Sequence, residues 1–316
     1  MRATEVVLLA GLGLVSLTAR APCFAGQALV TNQPGDSLSI VDLTTMTAGP
    51  EIKIGGKPAG IALSPDKKTA YITAPDSGEL VEFDAVGKTV KRRLKLGGGP
   101  VGIAAHPAKP EIYVADWYAH KIRIVDANTF AVVADVPVGQ SPSGLAVTPD
   151  GALLLSTDRD SNQISIIDLA SRAVVGVVPV GERPFGITID AVGARAYTAN
   201  VASDDITVID IAGRAAVGRV ATGRRPYAVA LAAGLGFSTD QYSGTVTVFD
   251  LASLTALKTI EACDHPEGIE ANTAGTEIYV ACWGDNVILR IDALQLVTTG
   301  KASVGDGPRA FGKFLR

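Results

Sequence analysis

Residues 261–286 combine two cysteines, a histidine, a tryptophan and several carboxylates in one short segment. Side chains of these types could bind a metal ion or form a disulfide. The only other cysteine, Cys23, lies near the N-terminus, inside a segment that resembles an export signal. What Cys263 and Cys282 do depends on the elements that hold them, and these elements follow from an internal repeat.

A proline-led segment occurs seven times along the chain. The copies are PAGIAL at Pro58, PVGIAA at Pro100, PSGLAV at Pro142, PFGITI at Pro184, PYAVAL at Pro226, PEGIEA at Pro266 and PRAFGK at Pro308. Their spacing is 42 residues, except for one interval of 40 between Pro226 and Pro266. Each repeat also contains a motif such as YTAN and, 13 residues later, an aspartate that ends an alternating apolar run.

Each repeat therefore holds four β-rich runs separated by turn residues. A repeat of about 40 residues with four strands has the size of one propeller blade. The sequence predicts an all-β fold, a seven-bladed β-propeller of four-stranded antiparallel blades. Residues 29–55 would supply three strands of the last blade, and a C-terminal strand at 308–313 would complete it and close the ring.

The motifs LVTN, YVAD and YTAN, each followed by an alternating run that ends in aspartate, resemble the YVTN-type β-propeller repeat family. The resemblance covers residues 27–314. It implies the propeller fold and, more often than catalysis, an accessory or binding role. Such propellers include secreted repeat proteins and accessory proteins of PQQ-dependent oxidation systems.

Residues 1–25 have the pattern of an export signal. Arg2 precedes an apolar run at 6–17, and small residues lead to a cleavage point after Ala25. The run is short for a membrane span. We expect a signal peptide at 1–25, one propeller domain at 26–316, no integral membrane segment in the mature chain, and a periplasmic or secreted monomer.

The charge pattern bears on the partners of the protein. The formal net charge is −4, without a basic run of the kind that nucleic-acid binding requires. We therefore expect a partner protein or an anionic small molecule rather than nucleic acid, and the residues identify no cofactor.

The strongest binding signal is an arc of residues beside the blade-leading prolines, at the mouth of the central funnel. Its members are Lys57, Arg183, Phe185, Arg224, Arg225, Tyr227, His265, Glu267 and Arg309. Guanidinium groups beside aromatic rings suit carboxylates and other planar anions. Ordinary solvated charge at a funnel mouth is the alternative. A second set, Trp117, Tyr118, His120 and Trp283, lies in loops of the same face and could form a protein interface or pack between blades.

No catalytic motif of a known type is present, so we assign no catalytic residue. The main alternative is a metal-dependent hydrolase or lactonase-like enzyme that uses a funnel metal near His265 and Glu267. A purely structural cell-surface protein is a third possibility. We assign no metal site, because the spacing of these residues is not diagnostic.

The repeat register places the two cysteines at one end of the sixth blade. Cys263 stands where the other inter-blade turns carry glycine, and Cys282 stands at the last position of the YVTN-like motif, opposite Pro266. A disulfide is favoured by this placement, with free thiols or a Cys/His metal site as alternatives.

Overall fold

The computed structural model describes residues 26–316, so the expected signal peptide and its cleavage point lie outside the described residues. Strands are numbered in chain order, and blades are numbered by their leading prolines. Blades 1 to 3 contain β5 (Gly60–Leu63), β6 (Thr69–Ala74), β7 (Glu79–Asp84) and β8 (Thr89–Lys95); β9 (Pro100–Ala105), β10 (Glu111–Asp116), β11 (Lys121–Asp126) and β12 (Ala131–Pro137); and β13 (Pro142–Val147), β14 (Leu153–Asp158), β15 (Gln163–Asp168) and β16 (Ala173–Pro179). A 3-10 turn, Arg159–Ser161, lies within blade 3.

The remaining blades repeat the pattern. Blades 4 to 6 contain β17 (Pro184–Ile189), β18 (Arg195–Asn200), β19 (Asp205–Asp210) and β20 (Ala215–Ala221); β21 (Pro226–Ala232), β22 (Leu235–Asp240), β23 (Thr245–Asp250) and β24 (Ala256–Glu261); and β25 (Pro266–Ala271), β26 (Glu277–Cys282), β27 (Val287–Asp292) and β28 (Val297–Ser303). Blade 7 contains β1 (Gln27–Asn32), β2 (Ser37–Asp42), β3 (Thr47–Ala48), β4 (Ile52–Lys53) and the C-terminal segment with β29 (Phe311–Gly312). The predicted seven-bladed propeller of four-stranded antiparallel blades is confirmed.

The core lies in layers between neighbouring blades. Strands of the YVTN type are buried on both faces, since each packs against the blade before it and the blade after it. Tyr113 of blade 2, for example, packs with Leu154 and Ile167 of blade 3. Burial on both faces explains why these strands are rich in apolar residues and lack a polar face.

The proline-led strands form the innermost ring, where space is smallest. The third residue of each such strand is glycine or alanine. A Cβ atom on Gly102 would lie 1.6 Å from the carbonyl oxygen of Ser143, and one on Gly144 would lie 2.2 Å from that of Phe185. The missing side chain is therefore what allows adjacent inner strands to approach each other.

The 40-residue interval reflects a shortened hairpin in blade 5. Ala232 pairs directly with Leu235, so β21 and β22 are joined by Ala233 and Gly234 alone. Both residues have positive φ values, 51° and 77°. This is the backbone of a two-residue hairpin turn, and glycine at the second position suits it.

Blade 7 is completed by the C-terminal segment, as the sequence predicts. The Arg309 amide donates to the Thr31 carbonyl (2.8 Å), and the Leu29 amide donates to the Phe314 carbonyl (2.9 Å). The same segment also pairs in parallel with β5 of blade 1, where Phe311 lies opposite Gly60. The C-terminal strand therefore joins the first and last blades. No helix within residues 26–316 is long and apolar enough to cross a membrane.

Candidate functional site

The rim of the funnel is built on left-handed backbone. Lys57, Arg183, Arg225 and His265, each directly before a blade-leading proline, have φ values of 56°, 54°, 55° and 52°. Residues other than glycine rarely adopt this region. The surrounding structure, rather than the preference of each residue, must therefore hold these positions.

A hydrogen bond between neighbouring blades holds most of these rim positions. A side chain 21 residues earlier accepts from the rim amide: Asp36 from Lys57 (2.8 Å), His120 from Ser141 (3.1 Å), Asn162 from Arg183 (2.8 Å), Asp204 from Arg225 (2.7 Å) and Asn286 from Gly307 (2.8 Å). His265 has no such partner, because Gly244 occupies the equivalent position. This bond was not predicted, although the polar residue at a fixed spacing is visible in the sequence.

The residues after the prolines are turned by β-bulges. In blade 4, Pro184 pairs with Asn200 and Ile187 pairs with Thr198, so Phe185 and Gly186 together oppose one residue. Blades 5 and 6 have the same irregularity at the positions of Tyr227 and Glu267. Bulges re-aim side chains next to functional sites, and here they carry three of the predicted arc residues.

Threonines of the YVTN-like motifs fix the backbone of two of these residues. The Thr157 hydroxyl donates to the carbonyl of Phe185 (2.7 Å), and the Thr239 hydroxyl donates to that of Glu267 (2.7 Å). Both bonds cross from one blade to the next. A residue of the repeat motif thus positions the site residue of its neighbour.

An aromatic cluster closes the floor of the funnel. The rings of Phe185, Tyr227 and Phe311 have centroids 4.7 to 5.6 Å apart, and Trp117 lies 6.4 Å from Phe185. Phe185 and Tyr227 are buried rather than exposed at the mouth. The sequence register predicts these residues at the mouth of the funnel, whereas in the structure they are buried in this cluster.

A buried charged group lies beside this cluster. Arg309 Nε donates to the Tyr227 hydroxyl (2.7 Å) and lies 3.2 Å from Glu267 Oε2. Gln241 donates to Glu267 Oε1 (2.7 Å), and Arg309 Nη1 donates to Gln33 Oε1 (2.5 Å). Glu267 Oε2 has the ion-pair contact but no hydrogen bond within the described chain. Burial raises the pKa of Glu267 above its usual range, against the opposing charge of Arg309 and the bond from Gln241.

The outer rim carries a row of cationic and aromatic groups. The Arg225 guanidinium lies 4.3 Å above the Tyr242 ring, Tyr242 meets His265 edge-on at 5.5 Å, and His265 lies 6.1 Å from Trp283. Tyr242 and Trp283 are exposed. The row spans blades 5 and 6 and presents aromatic surface together with positive charge on one face.

The predicted cations of the arc differ in their partners. Lys57 Nζ donates to the Pro34 carbonyl (2.9 Å) and lies 3.7 Å from Asp36. Arg183, Arg224 and Arg225 take part in no ion pair with the residues the structure describes. Lys57 is therefore engaged within the fold, whereas these three guanidinium groups have no carboxylate partner among the described residues.

The other predicted loop residues lie on the same face, across the funnel. Tyr118 is 74% exposed, and Trp117 is half-buried with the Arg159 guanidinium 5.4 Å from its ring. His120 is exposed, but its Nδ1 atom accepts the Ser141 amide, so part of its role is structural. A cavity of about 270 Å³ lies between this loop and the funnel floor, lined in part by Trp117, Phe185 and Arg309.

The residues of the alternative metal hypothesis have other partners. His265 Nδ1 lies 2.6 Å from Asp264 Oδ1, while Glu267 is bonded to Gln241 and Arg309. Among residues 26–316, no group of three or more His, Cys, Asp or Glu side chains is arranged to hold a metal ion.

The two cysteines form the predicted disulfide, with their Cα atoms 5.9 Å apart, and Cys282 pairs with Pro266 as expected. In five of the other six blades the same two positions hold a glycine against an asparagine or aspartate, and blade 1 has Ala74 instead. The Gly139 amide donates to Asp158 Oδ2 (2.9 Å), and a Cβ atom on Gly139 would lie 2.6 Å from that oxygen. In blade 6 the disulfide replaces this hydrogen-bonded contact.

Blade 5 uses Asp240 at this position, and its carboxyl is buried. The hydroxyls of Thr247 and Thr245 donate to Oδ2 at 2.6 and 3.0 Å. Burial raises the pKa of Asp240 from 3.8 to about 6, although these bonds oppose the shift. In blade 4 the equivalent Asn200 donates to Thr207 instead (2.8 Å), so the position accepts an amide as well as an acid.

Asp240→Asn is expected to stabilise the protein more at pH 8 than at pH 4. The pKa of the Asp240 carboxyl is higher in the folded state than in the unfolded state. The contribution of this carboxyl to the unfolding free energy therefore decreases as the pH rises from about 4 through about 6, where it loses its proton in the folded state. The pKa change from 3.8 to about 6 corresponds to about 3 kcal/mol at about 1.4 kcal/mol per unit. Urea unfolding at both pH values should show a gain at pH 8 that exceeds the change at pH 4 by about 2 to 3 kcal/mol.

The exposed Asp250 provides a control of opposite sign. The Ser253 amide, the largest influence, lowers its pKa, so Asp250→Asn should destabilise the protein at pH 8. Equal effects of Asp240→Asn at the two pH values would show that the carboxyl is not protonated in the fold.

The ring of four-stranded blades around a central channel defines a seven-bladed β-propeller. The chain belongs to the YNCE-like beta-propeller family, whose sequence model matches residues 23–195. This agrees with the resemblance to YVTN-type propellers. A search of curated proteins finds no significant match.

Solved structures with the same fold are distant in sequence. Hydrazine synthase from Kuenenia stuttgartiensis is 18% identical, with a TM-score of 0.72 over 82% of this chain and 91% of that one. A functionally unknown protein from Desulfotomaculum acetoxidans is 15% identical, with a TM-score of 0.76 over 90% and 99%. The dihydro-heme d1 dehydrogenase NirN, in complex with DHE, is 14% identical, with a TM-score of 0.68 over 92% and 74%. At these identities the likeness concerns the fold alone.

Proposed function

We propose that this protein is an exported, non-catalytic binding propeller with an accessory role. Its funnel face engages an anionic ligand or an acidic surface of a partner protein. The proposal combines the cationic rim of blades 4 and 5, the exposed aromatic groups beside it and the deeper cavity. Loops of uniform length on this face make it a rigid binding surface.

One observation carries the proposal. Arg183, Arg224 and Arg225 make no ion pair with residues 26–316, whereas Arg123 and Arg219 are paired with aspartates, and Arg195 and Arg214 donate to backbone carbonyls. The nearby carboxylate of Asp204 is occupied by the Arg225 amide. Unpaired guanidinium groups held on fixed backbone suit recognition of carboxylates and phosphates.

Export is supported by the pattern of residues 1–25 and by the disulfide, since disulfides persist in oxidising compartments. The intact mass of protein isolated from its host should correspond to a chain that begins at Gly26. A mass that retains the apolar run at 6–17 would contradict export by cleavage.

Replacing all three rim arginines by glutamine should weaken binding of an anionic probe at least tenfold. A suitable probe is a deca-glutamate peptide immobilised for biolayer interferometry, measured at low and high salt. The loss follows from removal of the unpaired charges, and wild-type binding should itself weaken with salt as the charges are screened.

The matched control replaces Lys67, Lys68 and Lys88 by glutamine. These exposed lysines lie in hairpins at the opposite face, and their replacement removes the same charge. Equal loss in both triple variants would mean that only net charge matters. Either that result or no wild-type binding would contradict a site at the rim.

A further inference from the structure

We propose that the cavity beneath the Trp117–Tyr118 loop is a binding site for a small planar monocarboxylate. The carboxylate would be held by Arg309 and Gln33 at the base, and the ring would pack against the side chains of Trp117 and Phe185 that line the cavity. This rests on the proposed binding function and narrows its ligand to one chemical class.

Unused hydrogen-bond donors lie at the base of the cavity. Arg309 commits Nε to Tyr227 and one Nη1 hydrogen to Gln33. Its Nη2 group has no hydrogen-bond partner within residues 26–316, and neither does the side-chain NH2 group of Gln33. Both residues line the cavity, and the Arg309 side chain is 23% exposed. A carboxylate is the acceptor that suits such a set of donors.

The orientation of Arg309 is fixed before a ligand arrives. Its Nε atom donates to Tyr227 and its Nη1 atom donates to Gln33. Glu267 Oε2 lies 3.2 Å from Nε, and the guanidinium lies 5.6 Å from the Tyr227 ring. A guanidinium fixed in this way loses little freedom when it binds a carboxylate. Lysine at this position would keep the charge but lose the planar set of donors.

The walls of the cavity are aromatic. The rings of Trp117 and Phe185 contact each other, with centroids 6.4 Å apart and planes inclined at 56°, so they form one continuous aromatic wall. The exposed Tyr118 lies at its edge. The volume, about 270 Å³, corresponds to about nine water molecules at about 30 Å³ each and can hold a single substituted ring.

A negatively charged side chain at the edge of the cavity affects which anions can bind. Asp76, which is exposed, is the only carboxylate among the residues that line the cavity. A ligand with a second carboxylate would bring like charges together in a partly desolvated space. The cavity should therefore prefer monoanions over dianions.

Ligand-observed NMR titration of the full protein with benzoate tests the proposal. We expect saturable binding with a Kd on the order of 1 mM or tighter. Benzamide, which lacks the charge, and cyclohexanecarboxylate, which lacks the planar ring, should bind at least tenfold more weakly, as should the dianion terephthalate. No benzoate binding, or equal binding of benzamide, would overturn the proposal.

Variants then locate the site. Arg309→Lys and Trp117→Leu should each weaken benzoate binding at least tenfold. Asp76→Asn should raise the affinity for terephthalate. The control Lys88→Gln should change the affinity for neither benzoate nor terephthalate. Thermal melting checks that each variant is folded. If Arg309→Lys fails to fold, the double variant Glu267→Gln with Arg309→Met removes the buried charges together. Unchanged benzoate binding in the folded Arg309 variant and in Trp117→Leu would place the ligand elsewhere.

The rim experiment separates this proposal from the one it rests on. If the triple arginine variant loses deca-glutamate binding but the wild type does not bind benzoate, the carboxylate site alone is overturned. Failure of both probes would overturn both proposals.

Discussion

Deletion of residues 308–316 is expected to prevent folding or to lower the melting temperature by more than about 15 °C. This segment supplies the innermost strand of blade 7 and buries Phe311 and Phe314. Loss of a buried phenylalanine side chain costs about 3 to 5 kcal/mol, and a typical domain is stabilised by only about 5 to 15 kcal/mol. The deletion also exposes the edge of β1 and removes one of the three aromatic contacts of Phe185.

Circular dichroism of the deletion variant, with thermal melting, measures this effect. Phe314→Ala isolates one buried ring and should lower the unfolding free energy by about 3 to 5 kcal/mol. Lys313→Ala at the adjacent position is the control, since this side chain is 68% exposed and makes only an ion-pair contact of 3.8 Å with Glu270, and it should cost much less. A shift below about 5 °C on deletion would mean that the other blades form a stable ring without this strand.

Removal of the disulfide by the double variant Cys263→Ala with Cys282→Ala is expected to cost about 3 kcal/mol of unfolding free energy. The bond closes a loop with a sequence separation of 19, and cross-links of this length restrict the unfolded chain by about that amount. The variant also leaves blade 6 without the glycine–aspartate contact that serves blades 3 and 5. Guanidinium chloride unfolding of oxidised wild type, reduced wild type and the variant provides the comparison.

The repeat itself offers a matched rescue. Cys263→Gly with Cys282→Asp recreates the pair found at Gly139 and Asp158, so it should recover part of the loss and make stability insensitive to reductant. Glycine is needed because a Cβ atom at that turn would collide with the aspartate. Equal stability of the alanine and wild-type proteins would show that the bond adds nothing to the fold.

Most of the fold could be predicted from the period of the repeat. Seven proline-led strands, the shortened hairpin before Phe237, the closing role of residues 308–313 and the Cys263–Cys282 pairing all follow from register, because each position of a propeller blade has one place in the ring. The structure bears out each of them.

The site was less predictable, because register fixes the place of a residue but not the partners of its side chain. Lys57 was grouped with the rim arginines, yet it is bonded to Pro34 and lies near Asp36. Phe311 was not singled out, although its ring completes the funnel floor. Gln33, which holds Arg309, comes from the other end of the chain, and no local pattern could reveal that contact.

The C-terminal strand determines when the ring can close during folding. Ala310 donates its amide to the Thr31 hydroxyl across 279 positions of sequence, so blade 7 cannot be completed until nearly the whole chain has been synthesised. Ring closure is therefore one of the last steps of folding. The segment that seals the propeller also carries Arg309, so the base of the cavity is assembled in the same late step.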